Sequence, residues 1–282
     1  MINQEYMRAL LRCCIDEDGG LQSDVTTNSI IPPEMQGTFA LRIRGKGTIA
    51  ALNLIAETID VFGNVTMELI HHDGDEVSDE DIAILVGSVQ SILVAERPIL
   101  NIICYASGVA TRTRQFVEAI AGTNCKICDT RKTTPGLRLL DKYGVTCGGG
   151  TSHRMGLYDA ALYKDNHLAG LKDFSTELST AIDRVQATND VAFVEVEVDT
   201  LEQLEKVLLL PVDIILLDNM PPEILKQSVA MRDAANSSPL LEASGGVSLE
   251  TVRAIAESGV DRISIGGIVH QAIWLDVGLD AI

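Results

Sequence analysis

The sequence predicts an α/β protein whose larger part is a parallel sheet closing into a β/α barrel. From about residue 124, short apolar runs alternate with stretches of helical periodicity, and that alternation implies a parallel sheet buried on both faces. Each run ends in charged residues or glycine, which gathers polar chemistry at one end of the strands, as in barrels that carry their sites on the C-terminal face. A doubly wound open sheet would also place ligands at strand C-termini, but at one switch point rather than on every strand. No GxGxxG fingerprint argues for a dinucleotide site, and GGG at 148–150 is only a flexible turn. The first hundred residues have a different rhythm and read as a separate domain.

Along the chain, SDVTTNSIIPP (23–33) is a turn-rich entry with helix-capping residues. Residues 37–51 begin with the apolar–polar alternation of a half-exposed strand; 52–62 read as a helix and 65–77 as an extended piece. Residues 89–121 are apolar at helical spacing, and Pro98 and Gly108 are expected to punctuate them. The later strands are KICDTRK (126–132), AALYKDNH (160–167), AFVEVEVD (192–199), DIILLDN (213–219), PLLEASGG (239–246) and RISIGG (262–267). Helical periodicity fills 200–210, 221–235 and 248–259; Ser248 and the acids after it mark the last start.

Composition narrows the function. The 282 residues are 46% hydrophobic, enough for a sizeable core and against disorder. Aromatics at 4% and a net charge of −18 argue against nucleic acid, which needs stacking surfaces or a basic face. The N-terminus lacks the apolar stretch of a signal peptide, and 82–95 and 207–217 are too short or interrupted to span a bilayer, so a cytoplasmic protein is expected. The six cysteines then read as free thiols. Cys125 and Cys128 form a CxxC, but no second ligand pair completes a zinc site, and they read as core thiols.

The strand ends form a chemically coherent set. Arg131, Lys132, His153, Arg154 and Lys164 fall within 129–165, a stretch of net charge +2 in a chain whose remainder carries −20. Such a basic pocket suits a small, multiply anionic ligand: Arg matches carboxylates bidentately, and Lys adds a point charge. The competing reading is that these cations pair with Asp129, Asp141, Asp159 and Asp165. Glu195 and Glu197 share one face of a strand, and Asp218 ends the next. These carboxylates could hold Mg²⁺ through water and substrate oxygens, steady an oxocarbenium-like transition state, or pair with the cations. Ser244–Gly245–Gly246 and Gly266–Gly267 offer main-chain amides for phosphate. The set describes an enzyme that joins or splits two anionic partners, one of them phosphorylated.

The motifs DTRKTTPGLR (129–138), GGGTSHRMGLYDAALYKDNH (148–167), VEVEVDTLEQL (194–204), LLDNM (216–220), EASGGVSLETV (242–252) and ISIGGIVH (263–270) resemble the quinolinate phosphoribosyltransferase family in order and spacing. SDVTT, DGDEV, AERPILN and SGVATRTRQFV extend the resemblance through the first domain. It implies an N-terminal α/β sandwich domain over 1–108, rejoined by 271–282, plus an open α/β barrel with parallel strands over 109–270. It implies transfer of phosphoribosyl from phosphoribosyl pyrophosphate to quinolinate with decarboxylation, in NAD biosynthesis, with Mg²⁺ as cofactor. The partners it implies are these two substrates and further copies of the chain, in a homodimer or higher homo-oligomer with shared sites. By motif, Arg131, Lys132, His153, Arg154 and Lys164 would surround quinolinate, and Arg97 would be donated across the dimer. Lys132, Lys164, Glu197 and Asp218 would be the catalytic group, Glu197 and Asp218 also facing the metal. Ser244, Gly245, Gly246, Gly266 and His270 would take the 5′-phosphate region. Ser152, Val269, Cys104 and Tyr105 depart from the family pattern.

Three alternatives differ in chemistry. A paralogue of the molybdenum-transport-associated type shares the TRK and HR motifs but does not typically keep KDNH, intact at 164–167. A Schiff-base aldolase would need a desolvated lysine, whereas Lys164 stands beside Asp165 among carboxylates. A non-catalytic anion binder would be expected to have lost Lys164, Glu197 or Asp218, and all three are present.

Overall fold

The computed structural model describes residues 2–188, 190–235 and 239–282. Two compact units divide the chain. One comprises Met1–Arg114, Thr134–Gly149 and Gln271–Ile282; the other comprises Gln115–Thr133 and Gly150–His270.

The first unit opens with α1 (Gln4–Glu17), whose N-terminal amide is capped by Asn3 and whose Met7, Leu11 and Ile15, spaced by one turn, are buried. The helix α2 (Val25–Ile30) starts on Asp24, which accepts the N–H groups of Thr26 and Thr27 at 3.0 Å each. Then follow β1 (Gln36–Ile43), β2 (Lys46–Thr48), α3 (Leu52–Ala56), β3 (Val65–Leu69), β4 (Glu76–Ser78), β5 (Asp81–Ser88) and α4 (Val89–Ala119). The expected 52–62 helix is therefore α3 followed by a separate 3-10 turn, Ile59–Phe62, because the Thr58 hydroxyl bonds back to the Leu54 carbonyl at 2.7 Å. The extended piece 65–77 is two strands parted by a turn at Gly74, φ +93°.

Helix α4 runs straight through both residues expected to punctuate it. An interior proline costs about 3 kcal/mol, but Ile92, Ala95, Ile99, Leu100, Ile102 and Ile103 are buried around it, and their burial outweighs that cost. Gly108 is required by packing: a Cβ there would overlap the Ile273 carbonyl. Among the described helices, α4 alone is long and apolar enough to cross a membrane, yet 61% of its apolar window is buried within the fold.

In the second unit come β6 (Lys126–Cys128), β7 (Ala161–Tyr163), α6 (Asp165–Leu168), α7 (Phe174–Thr188), β8 (Val194–Val198), α8 (Leu201–Val207), β9 (Ile214–Asp218), α9 (Pro222–Ala234), β10 (Leu240–Ser244), α10 (Val252–Ala256), β11 (Arg262–Ser264) and α11 (Gly267–His270). The chain-order reading placed residues 138–147 in the barrel; α5 (Arg138–Cys147) clusters with the first unit. The last strand, β12 (Val277–Ala281), pairs antiparallel with β1, Phe39 opposite Ala281, in the four-stranded sheet β12-β1-β5-β3.

The second unit is a six-stranded parallel sheet in the order β6-β11-β10-β9-β8-β7. Thr151 adds a parallel bridge beyond β6 at Cys128, while among the described residues β7 pairs only with β8, so the barrel is open between them. All five residues of β8 are buried, as expected of a strand covered on both faces. The register aligns Asp218 with Ser244, Ser244 with Ser264 and Ser264 with Cys128, so the following loops all leave from the same rim.

Candidate active site

That rim encloses a cavity of ≈590 Å³ lined by Arg131, Lys132, His153, Arg154, Lys164, Glu197, Asp218, Ser244, Gly245 and Gly246, with Asp129, Thr130, Leu162, Leu216, Asn219, Glu242 and Ser264. Every lining residue belongs to the second unit.

The cationic wall is built by the loop after β6 and the segment after Thr151. Thr130 Oγ1 accepts the Lys132 N–H at 2.9 Å, turning the chain so that Arg131 and Lys132 are exposed side by side. Among the described residues neither forms an ion pair. Gly266, half-buried, leaves room for Lys132: a Cβ there would stand 2.8 Å from the lysine's Cδ. Arg154 is buried, and burial together with the nearby charge of Arg131 lowers its pKa from the ordinary arginine value. Arg131, Lys132 and Arg154 together concentrate positive charge on this wall, which an anion would balance.

Each of the four aspartates accepts a main-chain N–H of the loops that carry the cations. Asp129, fully buried, accepts the His153 N–H at 2.8 Å; Asp159 accepts the N–H groups of Met155 and Gly156 at 2.6 and 2.8 Å; Asp165 accepts the N–H of Asn166 at 2.7 Å. Asp141 accepts the Thr134 N–H at 2.7 Å and the Tyr105 hydroxyl. These acids shape the loops that carry the cations.

Lys164 caps α6 and its N–H donates to His167 Nδ1 at 3.0 Å, which explains the KDNH motif as a local turn that presents the lysine. Its ammonium pairs with Glu197 at the end of β8. Asp218, at the end of neighbouring β9, accepts from Asn219 Nδ2 at 2.6 Å. The Asn219 N–H reaches the Ser244 carbonyl at 2.8 Å, and Gly245, φ +96°, is needed because a Cβ would overlap the Asn219 side chain. The two acids and the glycine loop are thus one joined rim. Glu197 and Asp218 are hard oxygen donors on adjacent strands of one cavity, and fit a Mg²⁺ held by one or two carboxylates plus substrate oxygens.

Beneath the rim, His153 Nε2 lies 3.1 Å from Glu195 Oε2 and 3.3 Å from Glu242 Oε1, and Arg262 Nε lies 3.0 Å from Glu242 Oε2. The donor atoms of His153, Glu195 and Glu242 lie within 4.8 Å of one another, but Arg262 already supplies the cation that balances Glu242. Burial alone would push the His153 ring down and the flanking carboxylates of Glu195 and Glu242 raise it, while Nδ1, which accepts the Arg154 N–H at 2.8 Å, has no place for a second ring proton. Sequence reasoning missed Glu242 and Arg262; the signal was an acid inside the otherwise apolar LLEAS strand.

Three of the expected site residues lie outside the cavity lining: Gly266, which stands against the Lys132 side chain, Arg97 and His270. Arg97 is on α4 in the first unit, its side chain 72% exposed. His270, also exposed, ends α11. Of the departures from the family pattern, Tyr105 joins Thr134, 2.6 Å away, and Asp141 inside the first unit, Val269 is buried, and the Ser152 hydroxyl donates to the His153 carbonyl at 3.1 Å. Cys125 and Cys128 are buried free thiols, each pushed up to about 12 by burial.

Residues 24–107 and 109–280 match the family models described as the N-terminal and C-terminal domains of quinolinate phosphoribosyl transferase. The nicotinate-nucleotide pyrophosphorylase [carboxylating] of Mycobacterium leprae is 39% identical over 277 residues, 97% of this chain and 96% of the relative. The probable nicotinate-nucleotide pyrophosphorylase [carboxylating] of Bacillus subtilis is 36% identical over 281 residues, 99% and 94% of the two chains. The solved nicotinate-nucleotide pyrophosphorylase of Francisella tularensis superposes with a TM-score of 0.91 at 32% identity, covering 100% of this chain and 98% of its own. That of Ehrlichia chaffeensis superposes with 0.86 at 38% identity, covering 97% and 98%.

Proposed function

The chain belongs to the quinolinate phosphoribosyltransferase family, and from that premise we propose that it converts quinolinate and phosphoribosyl pyrophosphate to nicotinate mononucleotide, CO₂ and pyrophosphate, as a cytoplasmic enzyme of NAD biosynthesis. The observation that carries the reading is one cavity in which Arg131, Lys132, His153, Arg154 and Lys164 meet Glu197, Asp218 and the Ser244–Gly246 loop. A dicarboxylate and a sugar phosphate suit the two halves of that lining.

In the reaction, the bond from ribose C1 to the pyrophosphate oxygen breaks and a bond from C1 to the pyridine nitrogen forms. The 2-carboxylate then leaves as CO₂, its bonding pair remains on the ring, and a proton takes its place. Arg131, Lys132 and Arg154 hold the two carboxylates and orient the ring nitrogen toward C1. Glu197 and Asp218 steady the positive charge that develops on the ribose, and Lys164, paired with Glu197, stands between base and sugar. Ser244, Gly245 and Gly246 offer hydroxyl and main-chain donors to the 5′-phosphate. Glu197 and Asp218 would hold a Mg²⁺, which when bound would neutralise charge on the departing pyrophosphate. Arg97, exposed and outside the cavity lining, is the residue a second copy contributes in a homodimer.

The test is incubation of the protein with quinolinate, phosphoribosyl pyrophosphate and Mg²⁺, with nicotinate as the competing base. Nicotinate mononucleotide from quinolinate is expected; product from nicotinate but none from quinolinate would overturn the reading.

A further inference from the structure

Below the groups assigned to substrate, the barrel interior holds ionisable side chains that the scheme above does not use. Glu195 of β8 and Glu242 of β10 are both 0% exposed. Their strands are not neighbours, since β9 lies between them, so the two acids meet only because both face inward. Both reach Nε2 of His153, at 3.1 and 3.3 Å. The rest of the imidazole is also engaged: Nδ1 accepts the Arg154 N–H at 2.8 Å, and the ring stands edge to face with Phe193 at 5.3 Å. The same residue's N–H is held by Asp129 at 2.8 Å. Arg262 balances Glu242 from the next strand and lies 3.3 Å from Cys128 Sγ.

Burying two carboxylates costs several kcal/mol each unless geometry and hydrogen bonding return it, and among the described residues none of the four carboxylate oxygens of Glu195 and Glu242 has a hydrogen-bond partner, which leaves the ion contacts to His153 and Arg262 to offset that cost. A fully buried acid whose ion pair is to a single histidine is explained by what it does to that histidine. We propose that Glu195 and Glu242 are positioning residues of this site: together they fix the His153 ring with Nε2 as its protonated nitrogen, and through it hold the His153–Arg154 segment at the floor of the cavity. The Arg154 amide selects the same tautomer from the other side, because Nδ1 must accept. The arrangement makes the orientation of Arg154 depend on acids that never meet the ligand space directly or, for Glu242, only line its floor.

The kinetic readout of this proposal rests on the quinolinate reading; the spectroscopic one does not. In the full chain, ¹⁵N correlations of the His153 ring are compared with those of Glu195→Met, which keeps the volume without an acceptor, and Glu195→Gln, which keeps the acceptor without the charge. The wild type is expected to show one ring form protonated at Nε2. Glu195→Met should show tautomer exchange and raise the KM for quinolinate about tenfold with kcat changed less, and Glu195→Gln should restore both. An unchanged ring signature in Glu195→Met, or a Glu195→Gln variant as impaired as Glu195→Met, would overturn the proposal. Should the chain fail to turn over quinolinate, the ring spectra of the free protein still decide it.

Discussion

Replacing Glu242 by Met should destabilise the second unit by about 3–5 kcal/mol, because it leaves buried charge without its partner. The Arg262 guanidinium, 3.0 Å from Glu242 and with a side chain only 11% exposed, then has no carboxylate in contact with it, and His153 loses one of its two. At roughly 2–4 °C per kcal/mol for a unit of this size, the melting transition should fall by roughly 6–20 °C. Met matches Glu closely in volume, so the loss measures charge rather than a cavity. The control is the double variant Glu242→Met/Arg262→Met, in which the pair is removed together; a buried ion pair replaced by apolar groups of similar volume is often neutral. Thermal melts and urea midpoints of the four proteins complete a double-mutant cycle. A single variant that melts within about 2 °C of the wild type, or a double variant less stable than either single one, would refute the reasoning.

Three further outcomes follow from the same geometry. Lys132→Ala and Arg97→Ala should each be inactive, but their mixture should regain activity through hybrid dimers; a mixture as dead as its components counts against a shared site. Gly245→Ala should raise the KM for phosphoribosyl pyrophosphate far more than that for quinolinate, since a left-handed alanine costs about 1–2 kcal/mol and displaces Asn219 from the rim; equal effects on both would contradict its place on the phosphate side. For pH, Glu242, held below its ordinary 4.5 against the penalty of burial by His153 and Arg262, contributes stability that is present above pH 4.5 and lost as pH falls. Urea midpoints should therefore fall as pH drops below 4.5, and a midpoint unchanged on acidification would speak against the Glu242 assignment.

The strand–helix alternation of the barrel was legible because each apolar run stops at a polar rim residue, and the structure aligns those stops in register. Local chemistry was less readable where long-range packing overrides it. Pro98 and Gly108 look like breaks, yet burial of α4 carries the helix through one and requires the other. The division at Thr58 depends on a single hydroxyl bonding back to Leu54. The cations of 131–164 were recognisable from charge contrast alone, whereas the Glu195–His153–Glu242–Arg262 cluster was not. Its members lie on four segments that meet only when the sheet curls, and Glu195 looked from its spacing like a companion of Glu197 when it belongs to the layer below.

The most direct measurement of the central claim uses quinolinate labelled with ¹³C in its 2-carboxylate. With phosphoribosyl pyrophosphate and Mg²⁺ present, the protein should release labelled CO₂ in equal amounts with pyrophosphate and nicotinate mononucleotide, and release none when phosphoribosyl pyrophosphate is left out. Pyrophosphate release without labelled CO₂, or labelled CO₂ released without phosphoribosyl pyrophosphate, would contradict it.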